Sequence, residues 1–352
     1  MTEGALDAER KDAMNLKQDR YGRYALVREM MDAIGLMRRY DPAQSAEVSA
    51  AIKKAGRLML TGEGSSRIFP AKNAVTKALT LGLDLSIATD GCRQCANYDL
   101  SRFAVFCASN SGKTKEAVLL ARKLAEGGHR RLFALCANDG TPLEAVCTKT
   151  FLLTCGWEQA VAATKSVIEQ ALFYQSILWN LRGGSAQTPW PADAAEKMEQ
   201  ALTMPIDPAI IAAAVQAPTL YFAGYNDGVA EELTLKANEI TRKKSDYLEG
   251  TYAVHGIEEV MEPSDVVFVI DPIKEEIEKF SQVLEKGVGL AVIAVSTDET
   301  PFPTLRVPDA GEMNPFVFLC AGWNLLIEIG LALGINLDQP ARARKVGNEF
   351  KG

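Results

Sequence analysis

The sequence predicts an α/β protein of two domains, each a parallel sheet flanked by helices. Three observations predict it. Short apolar runs alternate with helix-patterned stretches, as in a parallel sheet covered on both faces. The order of runs and turns recurs after a segment rich in Gly, Ser and Pro, "RGGSAQTPWPADAA" at 182–195. The 352 residues, 47% hydrophobic and 24% charged, suffice for two ordinary domains with sizeable cores.

Residues 20–41 carry apolar positions at helical spacing and then meet Asp41-Pro42, so a helix precedes the first core and residues 1–44 read as an arm. The first domain, 45–185, begins with the strand "RLMLT" at 57–61, the turn Gly62-Glu63-Gly64-Ser65-Ser66 and a helix from Phe69 to Leu81. Next come "RFAVFCA" (102–108), a hydroxyl-rich turn and its helix, and "RLFALCA" (131–137) closed by Asn138-Asp139-Gly140. "TFLLT" (150–154) and a long helix from about Glu158 to Leu181 finish the unit. In the second domain, 196–335, "TLYFAGYNDG" (219–228), "DVVFVIDP" (265–272) and "GLAVIAVSTDE" (289–299) parallel the first three strands. This is a weak internal duplication, its spacing too long for a solenoid. Residues 336–352 form a tail.

A net charge of -7 without a basic stripe argues against a nucleic-acid partner. The N-terminal stretch has no apolar core for a signal peptide, and no run of about 18 apolar residues offers a membrane span. A cytoplasmic protein is expected. The seven cysteines are an odd number, and Cys107, Cys136 and Cys320 lie in apolar runs where a thiol acts as a small hydrophobe, so disulfides are not expected. Cys92-Arg93-Gln94-Cys95 has the spacing of a redox pair or half a zinc site. With two histidines in the chain and no second such pair, two loop or core thiols are the favoured reading, and no metal is expected.

The turn "SNSGKT", Ser109 to Thr114, ends like a nucleotide-binding P-loop. That motif needs a glycine five residues before Gly112, where the chain wraps a polyphosphate, and Cys107 stands there instead. What remains is three hydroxyls and an amide between a strand and a helix, where an open parallel sheet gathers ligands and a helix N-terminus offers N–H groups. A helix N-cap is the alternative. One cap needs one hydroxyl, however, and Ser65-Ser66 follow the first strand as a second hydroxyl pair, so a phosphate site is favoured. The second half has "DPIKEE" at the matching place, which suggests one anion site per chain.

"GEGSS", "SNSGKT" and "EQAVAATKS" (158–166), in this order and spacing, resemble the first half of tandem sugar isomerase (SIS) proteins, among them the isomerase portion of glucosamine-6-phosphate synthase. The resemblance spans about residues 45–345 and implies two SIS-type, doubly wound, flavodoxin-like domains, the first binding a phosphosugar and the second carrying the catalytic base. It implies that Ser66, Ser109, Asn110, Ser111 and Thr114, with Gly64 and Ser65 of the first turn, hold the phosphate and neighbouring hydroxyls, and that the backbone near Val161 lines the sugar. By the same resemblance Glu239 is the base that moves a proton between C1 and C2, Lys236 its neighbour, and His255 the group that assists ring opening across a subunit boundary. Lys345, after Asp-Gln-Pro in a tail that closes the site, matches a lysine that reaches the sugar carbonyl and can form a Schiff base. A homodimer or homotetramer with sites at the subunit interface is implied, with no cofactor. Lys113, Asn238, Ala163 and "EGTYAVHG" (249–256) depart from the family pattern.

Read without the resemblance, Glu232, Lys236 and Glu239 fit an ordinary surface ladder at i,i+4 and i,i+3. His255 alone fits a structural or surface histidine, His129 a loop residue, and Lys345 an exposed basic tail. Three functions are compatible with these residues. The first is a phosphosugar aldose/ketose isomerase acting through an enediol on a sugar 6-phosphate. The others are a deglycase of a fructosamine-type 6-phosphate and a non-catalytic sugar-phosphate sensor; the sensor has no need of Glu239 and His255.

Overall fold

The computed structural model describes residues 13–184 and 190–352, so the centre of the expected linker and the start of the expected arm lie outside the described residues. The chain forms two compact units. One holds the first sheet and comprises Gly35–Gln159, Ala163–Ala192 and Ala343–Gly352; the other holds the second sheet and comprises Met1–Ile34, Ala160–Ala162 and Asp193–Arg342. The arm and the tail, each expected as one piece, are therefore shared between the units by sequence.

The first sheet contains β1 (Arg57–Thr61), β2 (Ser86–Asp90), β3 (Ala104–Ala108), β4 (Leu132–Cys136) and β5 (Lys149–Leu152), in the order β2-β1-β3-β4-β5. All pairings are parallel, with Leu60 opposite both Thr89 and Phe106 and Phe106 opposite Phe133. Strand alternation sends successive side chains to opposite faces. Leu58, Leu60, Phe106, Phe133 and Leu135 thus pack with Phe173 and Tyr174 of the helix Lys165–Leu181 on one side. Met59, Val105, Cys107, Ala134 and Cys136 pack with Ala117, Val118, Leu120 and Ala121 of the helix Lys115–Glu126 on the other. Phe106 meets Phe173 and Tyr174 edge-on at 5.7 and 5.8 Å, a favoured arrangement of ring quadrupoles.

The second sheet contains β6 (Thr219–Gly224), β7 (Lys244–Glu249), β8 (Val266–Ile270), β9 (Ala291–Ser296) and β10 (Thr304–Arg306), ordered β10-β9-β8-β6-β7 and again wholly parallel. Counted within each unit, both sheets have the order 2-1-3-4-5, the flavodoxin-like winding expected. The expected strands are present. Three others were not foreseen, and all three lie at sheet edges: β2, β7 and β10. An edge strand faces solvent on part of its surface, so "SIATD" and "KSDYLE" show no apolar run.

The helix Asn314–Ala332 is the core helix of the second unit. With its preceding turn it is long and apolar enough to cross a membrane, but 78% of its most apolar window is buried within the protein. Gly322 brings it close to the helix Val229–Lys236: a Cβ there would lie 2.3 Å from a methyl group of Leu233. That close approach buries one side of the helix that carries Lys236.

Candidate functional site

The hydroxyl turn sits at the carboxyl end of β3, the ligand-binding edge of such a sheet. Its backbone is pinned to β4, because Ser109 N–H donates to the Leu135 carbonyl at 3.0 Å and the Asn110 carbonyl accepts from Ala137 N–H at 3.0 Å. Gly112 has φ +63, and a Cβ on it would lie 2.4 Å from the Thr141 hydroxyl oxygen, so both conformation and space require glycine.

Thr114 occupies the N-cap position of the helix Lys115–Glu126 but makes no side-chain capping bond. Its hydroxyl pairs with that of Ser109 at 2.8 Å. The Ser111 hydroxyl accepts from Lys113 N–H at 3.2 Å. Each hydroxyl carries one proton, and one of the three is used inside the turn, which leaves two to donate outward. The capping alternative therefore does not account for these side chains. Lys113 is half-exposed, 3.8 Å from the Glu349 carboxylate. Gly64 (φ +54), Ser65 and Ser66 form a short 3-10 turn after β1, with Ser65 buried.

The tail docks on the same turn. Lys115 N–H donates to the Asn348 carbonyl at 2.9 Å and Phe350 N–H to the Lys113 carbonyl at 2.8 Å, with Thr114 bridging Glu349 in antiparallel sense. The Arg122 guanidinium lies 4.4 Å from the centre of the Phe350 ring. Lys345 reaches inward to Glu158 at 3.2 Å, so it is not the free basic side chain that its neighbours Arg342 and Arg344 suggest.

Glu158 itself was not among the residues picked out from the sequence. It is wholly buried and accepts from Thr164 N–H (2.7 Å), the Ser166 hydroxyl (2.7 Å), Asn110 Nδ2 (2.9 Å) and Lys345 Nζ (3.2 Å). Burial pushes its carboxyl up. The Lys345 ammonium and the bonds from Thr164 and Ser166 outweigh that effect and hold it below the usual glutamate range.

In the second unit, Lys236 is wholly buried between two carboxylates, 3.2 Å from Glu232 and 2.7 Å from Glu239. Glu232 is also fully buried, whereas the Glu239 side chain keeps 21% of its surface exposed. This is not a surface ladder. Burial works against the Lys236 ammonium, yet Glu239 and Glu232 more than offset it and raise its pKa, so the lysine stays charged. Glu239 lies in a π-helical turn, Ala237–Thr241, continuing from the helix Val229–Lys236 and ending at Arg242 with φ +58. Such turns are rare and recur at functional sites. Arg242 holds the end of the turn, donating to the carbonyls of Glu239 and Ile240.

Val161 is fixed by its N–H, which donates to the Asp338 carbonyl at 2.9 Å; the Asp338 carboxylate in turn caps the helix Ala25–Arg39 through Ala25 and Leu26 N–H at 3.0 and 2.8 Å. His255 follows a short 3-10 turn and is exposed, its imidazole making no hydrogen bond among the described residues. Glu239 and Lys236 are thus brought together, while no contact joins His255 to them. Cys92 and Cys95 are buried free thiols in a short helix, and burial pushes Cys92 up to about 12, far from a reactive thiolate.

Two five-stranded parallel sheets of 2-1-3-4-5 order, one carrying a hydroxyl turn at its carboxyl edge, define an α/β protein of doubly wound, flavodoxin-like fold. No protein-family model matches the chain, and no curated protein matches it by sequence. Solved structures share the fold. The C-terminal domain of glucosamine-fructose-6-phosphate aminotransferase from Francisella tularensis superposes with a TM-score of 0.73 at 14% identity, covering 90% of this chain and 98% of that one. Tagatose-6-phosphate ketose/aldose isomerase from Escherichia coli gives 0.70 at 15% identity over 91% and 96% of the two chains. Glucosamine-6-phosphate deaminase from Thermotoga maritima gives 0.69 at 18% over 92% and 99%.

Proposed function

We propose that this protein is a phosphosugar aldose/ketose isomerase that works through an enediol on a sugar 6-phosphate. The observation that carries the proposal is Glu239, a partly exposed carboxylate fixed by a wholly buried ammonium at 2.7 Å in a π-helical turn. The lysine holds the carboxylate in place, and a general base must be positioned within hydrogen-bond reach of the proton it takes. In this reading Glu239 removes a proton from one of C1 and C2 and returns it to the other. Ser109, Ser111 and Thr114 hold the phosphate with the Ser65-Ser66 turn, and the backbone near Val161 lines the sugar. His255 assists ring opening from a neighbouring subunit of a homodimer or homotetramer, in keeping with its exposed imidazole. The working location is the cytoplasm.

Release of an amine from a fructosamine-type 6-phosphate uses the same proton transfers, and one of the matched structures is described as a glucosamine-6-phosphate deaminase. A deglycase is accordingly the second reading. Lys345, close enough to a buried carboxylate to be held in place, supplies an amine to either reaction.

The test is deuterium wash-in from solvent at C1 or C2, run over a panel of sugar 6-phosphates and their amine conjugates. With a substrate so found, Glu239→Gln should lower kcat at least about a hundredfold and leave KM nearly unchanged. Wash-in at the wild-type rate in that variant would remove Glu239 as the base. Mixing Glu239→Gln and His255→Ala chains should restore part of the activity; its absence in verified mixed oligomers would place both residues of a site in one chain.

A further inference from the structure

The geometry points to Glu158 as a positioning residue: a single carboxylate oxygen, buried in the first unit, fixes both the amide of the hydroxyl turn and the ammonium of the tail lysine. The functional part of this inference rests on the sugar-phosphate reading above. The carboxylate is divided in its duties. Oε1 accepts from Thr164 N–H at 2.7 Å and Ser166 N–H at 3.3 Å, which anchors it to the first residues of the helix Lys165–Leu181. Oε2 faces the other way, accepting from the Ser166 hydroxyl at 2.7 Å, Asn110 Nδ2 at 2.9 Å and Lys345 Nζ at 3.2 Å.

This arrangement decides which way the Asn110 amide points. A carboxylate can only accept, so it selects the NH2 side of Asn110 and turns the carbonyl side away. That carbonyl oxygen, Oδ1, is buried without a hydrogen-bond donor. A buried acceptor left unpaired is costly, and a donor relieves it. Asn110 is therefore set to receive a donor, such as a sugar hydroxyl or an amine, and cannot use that atom on a phosphate oxygen. The hydroxyl turn is split: Ser111 and one of the paired Ser109 and Thr114 have protons to give to the anion, and Asn110 has a lone pair to give to a substrate hydroxyl. Lys345, in a tail segment without regular secondary structure, is placed by the same oxygen. Glu158 thereby joins the selection of the sugar to the placement of the tail amine.

The first measurement does not depend on activity. In wild-type protein, reductive methylation with formaldehyde and cyanoborohydride, followed residue by residue by mass spectrometry, should modify Lys345 several-fold more slowly than exposed Lys351. Glu158→Gln should bring Lys345 to the rate of Lys351. Equal rates for the two lysines in the wild type, or an unchanged slow rate at Lys345 in a folded Glu158→Gln protein, would overturn the placement of Lys345. If Glu158→Gln does not fold, Asn110→Ser and Lys345→Met keep the carboxylate and each remove one of the three groups that donate to Oε2. For a substrate found by wash-in, the Glu158→Gln/Lys345→Met pair should be strongly non-additive in kcat/KM, the double variant losing no more than about twofold beyond the worse single one. Additive losses would overturn the coupling. Asn110→Asp, which keeps an acceptor but faces Glu158 with a second carboxylate, should raise KM for that substrate at least about tenfold; an unchanged KM would remove Asn110 from sugar selection. Calorimetry on the wild type with each sugar 6-phosphate of the panel separates the two readings: no binding of any of them sinks the proposed function, while the methylation result stands or falls alone.

Discussion

Replacing Lys236 by methionine puts the buried charge cluster to its most direct test. Methionine keeps the length and apolar bulk of the lysine stem and removes only the ammonium. In the wild type that ammonium has no exposed surface and lies 3.2 and 2.7 Å from Glu232 and Glu239, the first of which is equally buried. Without it, two carboxylates face each other with no cation between them. Breaking a buried ion pair by removing one partner costs about 3 to 5 kcal/mol, because an uncompensated charge is left inside. For a transition with an m-value of about 2 to 3 kcal/mol per molar urea, the midpoint of the second unit should fall by about 1 to 2 M. Trp323 is wholly buried in that unit's core helix and gives the fluorescence signal. The pH dependence is also set. Lys236 has a raised pKa in the folded protein. Its stabilisation is therefore complete below the unfolded-state value of about 10.4 and is lost only as pH rises through the higher folded value. The gap between wild type and variant should be the same at pH 7 and pH 9. Lys113→Met is the internal control: it is half-exposed beside Glu349, and its loss should cost less than about 1 kcal/mol. A Lys236→Met midpoint shift as small as that of the control would refute the buried-cluster reasoning and restore the surface ladder.

Gly112→Ala forces a Cβ to within 2.4–2.5 Å of the Thr141 side chain at φ +63, so the turn must shift at a cost of roughly 1 to 3 kcal/mol. Thermal melting of the variant should drop accordingly, and a wild-type melting temperature would contradict the packing described. The double variant Ser111→Ala/Thr114→Ala should weaken sugar-phosphate binding by roughly 1 to 3 kcal/mol for each charge-assisted hydrogen bond lost, as read by calorimetry. Unchanged affinity would remove the anchor, and ATP should bind weakly to all forms because Cys107 stands where a P-loop has glycine.

What could be read from the residues was what burial writes into them. The strands β1, β3, β4, β6, β8 and β9 lie inside their sheets, so both faces are covered and the apolar runs are continuous. β2, β7 and β10 are edges, and their mixed composition resembles that of loops. The hydroxyl turn was legible because three hydroxyls exceed what a cap needs. The burial of Lys236 was not, since charges at i,i+3 and i,i+4 spacing look alike on a wet face and a dry one. Nothing local marks the π-helical turn at Glu239 either. In the sequence Glu158 reads as the first residue of a long helical pattern; the helix starts at Lys165, and the Thr164 and Ser166 donors just before and within its first turn are the signal that an acceptor must be near.

The antiparallel bridge between tail and turn also bears on how this protein is made. Asn348 donates to the Glu116 carboxylate, a partner 232 positions earlier in the chain, and Phe350 closes on Lys113 beside it. Domains generally fold as units while synthesis proceeds from the N-terminus. The sheet of the first unit is complete by Leu152 and its long helix by Leu181, yet Ala343–Gly352 belong to the same unit. During the synthesis of everything between, the Lys115 N–H has no carbonyl, the ring of Phe350 is missing from its place over Arg122, and the Glu158 carboxylate waits without its lysine. Joining segments this distant carries a loop-closure entropy that grows by only about 0.6 kcal/mol per doubling of the loop, so the delay costs little at equilibrium and is felt in time. A nascent first unit is thus a folded body with an unfinished hydroxyl turn, and ribosome-bound chains stalled before residue 343 are the species in which that turn would be found without its tail.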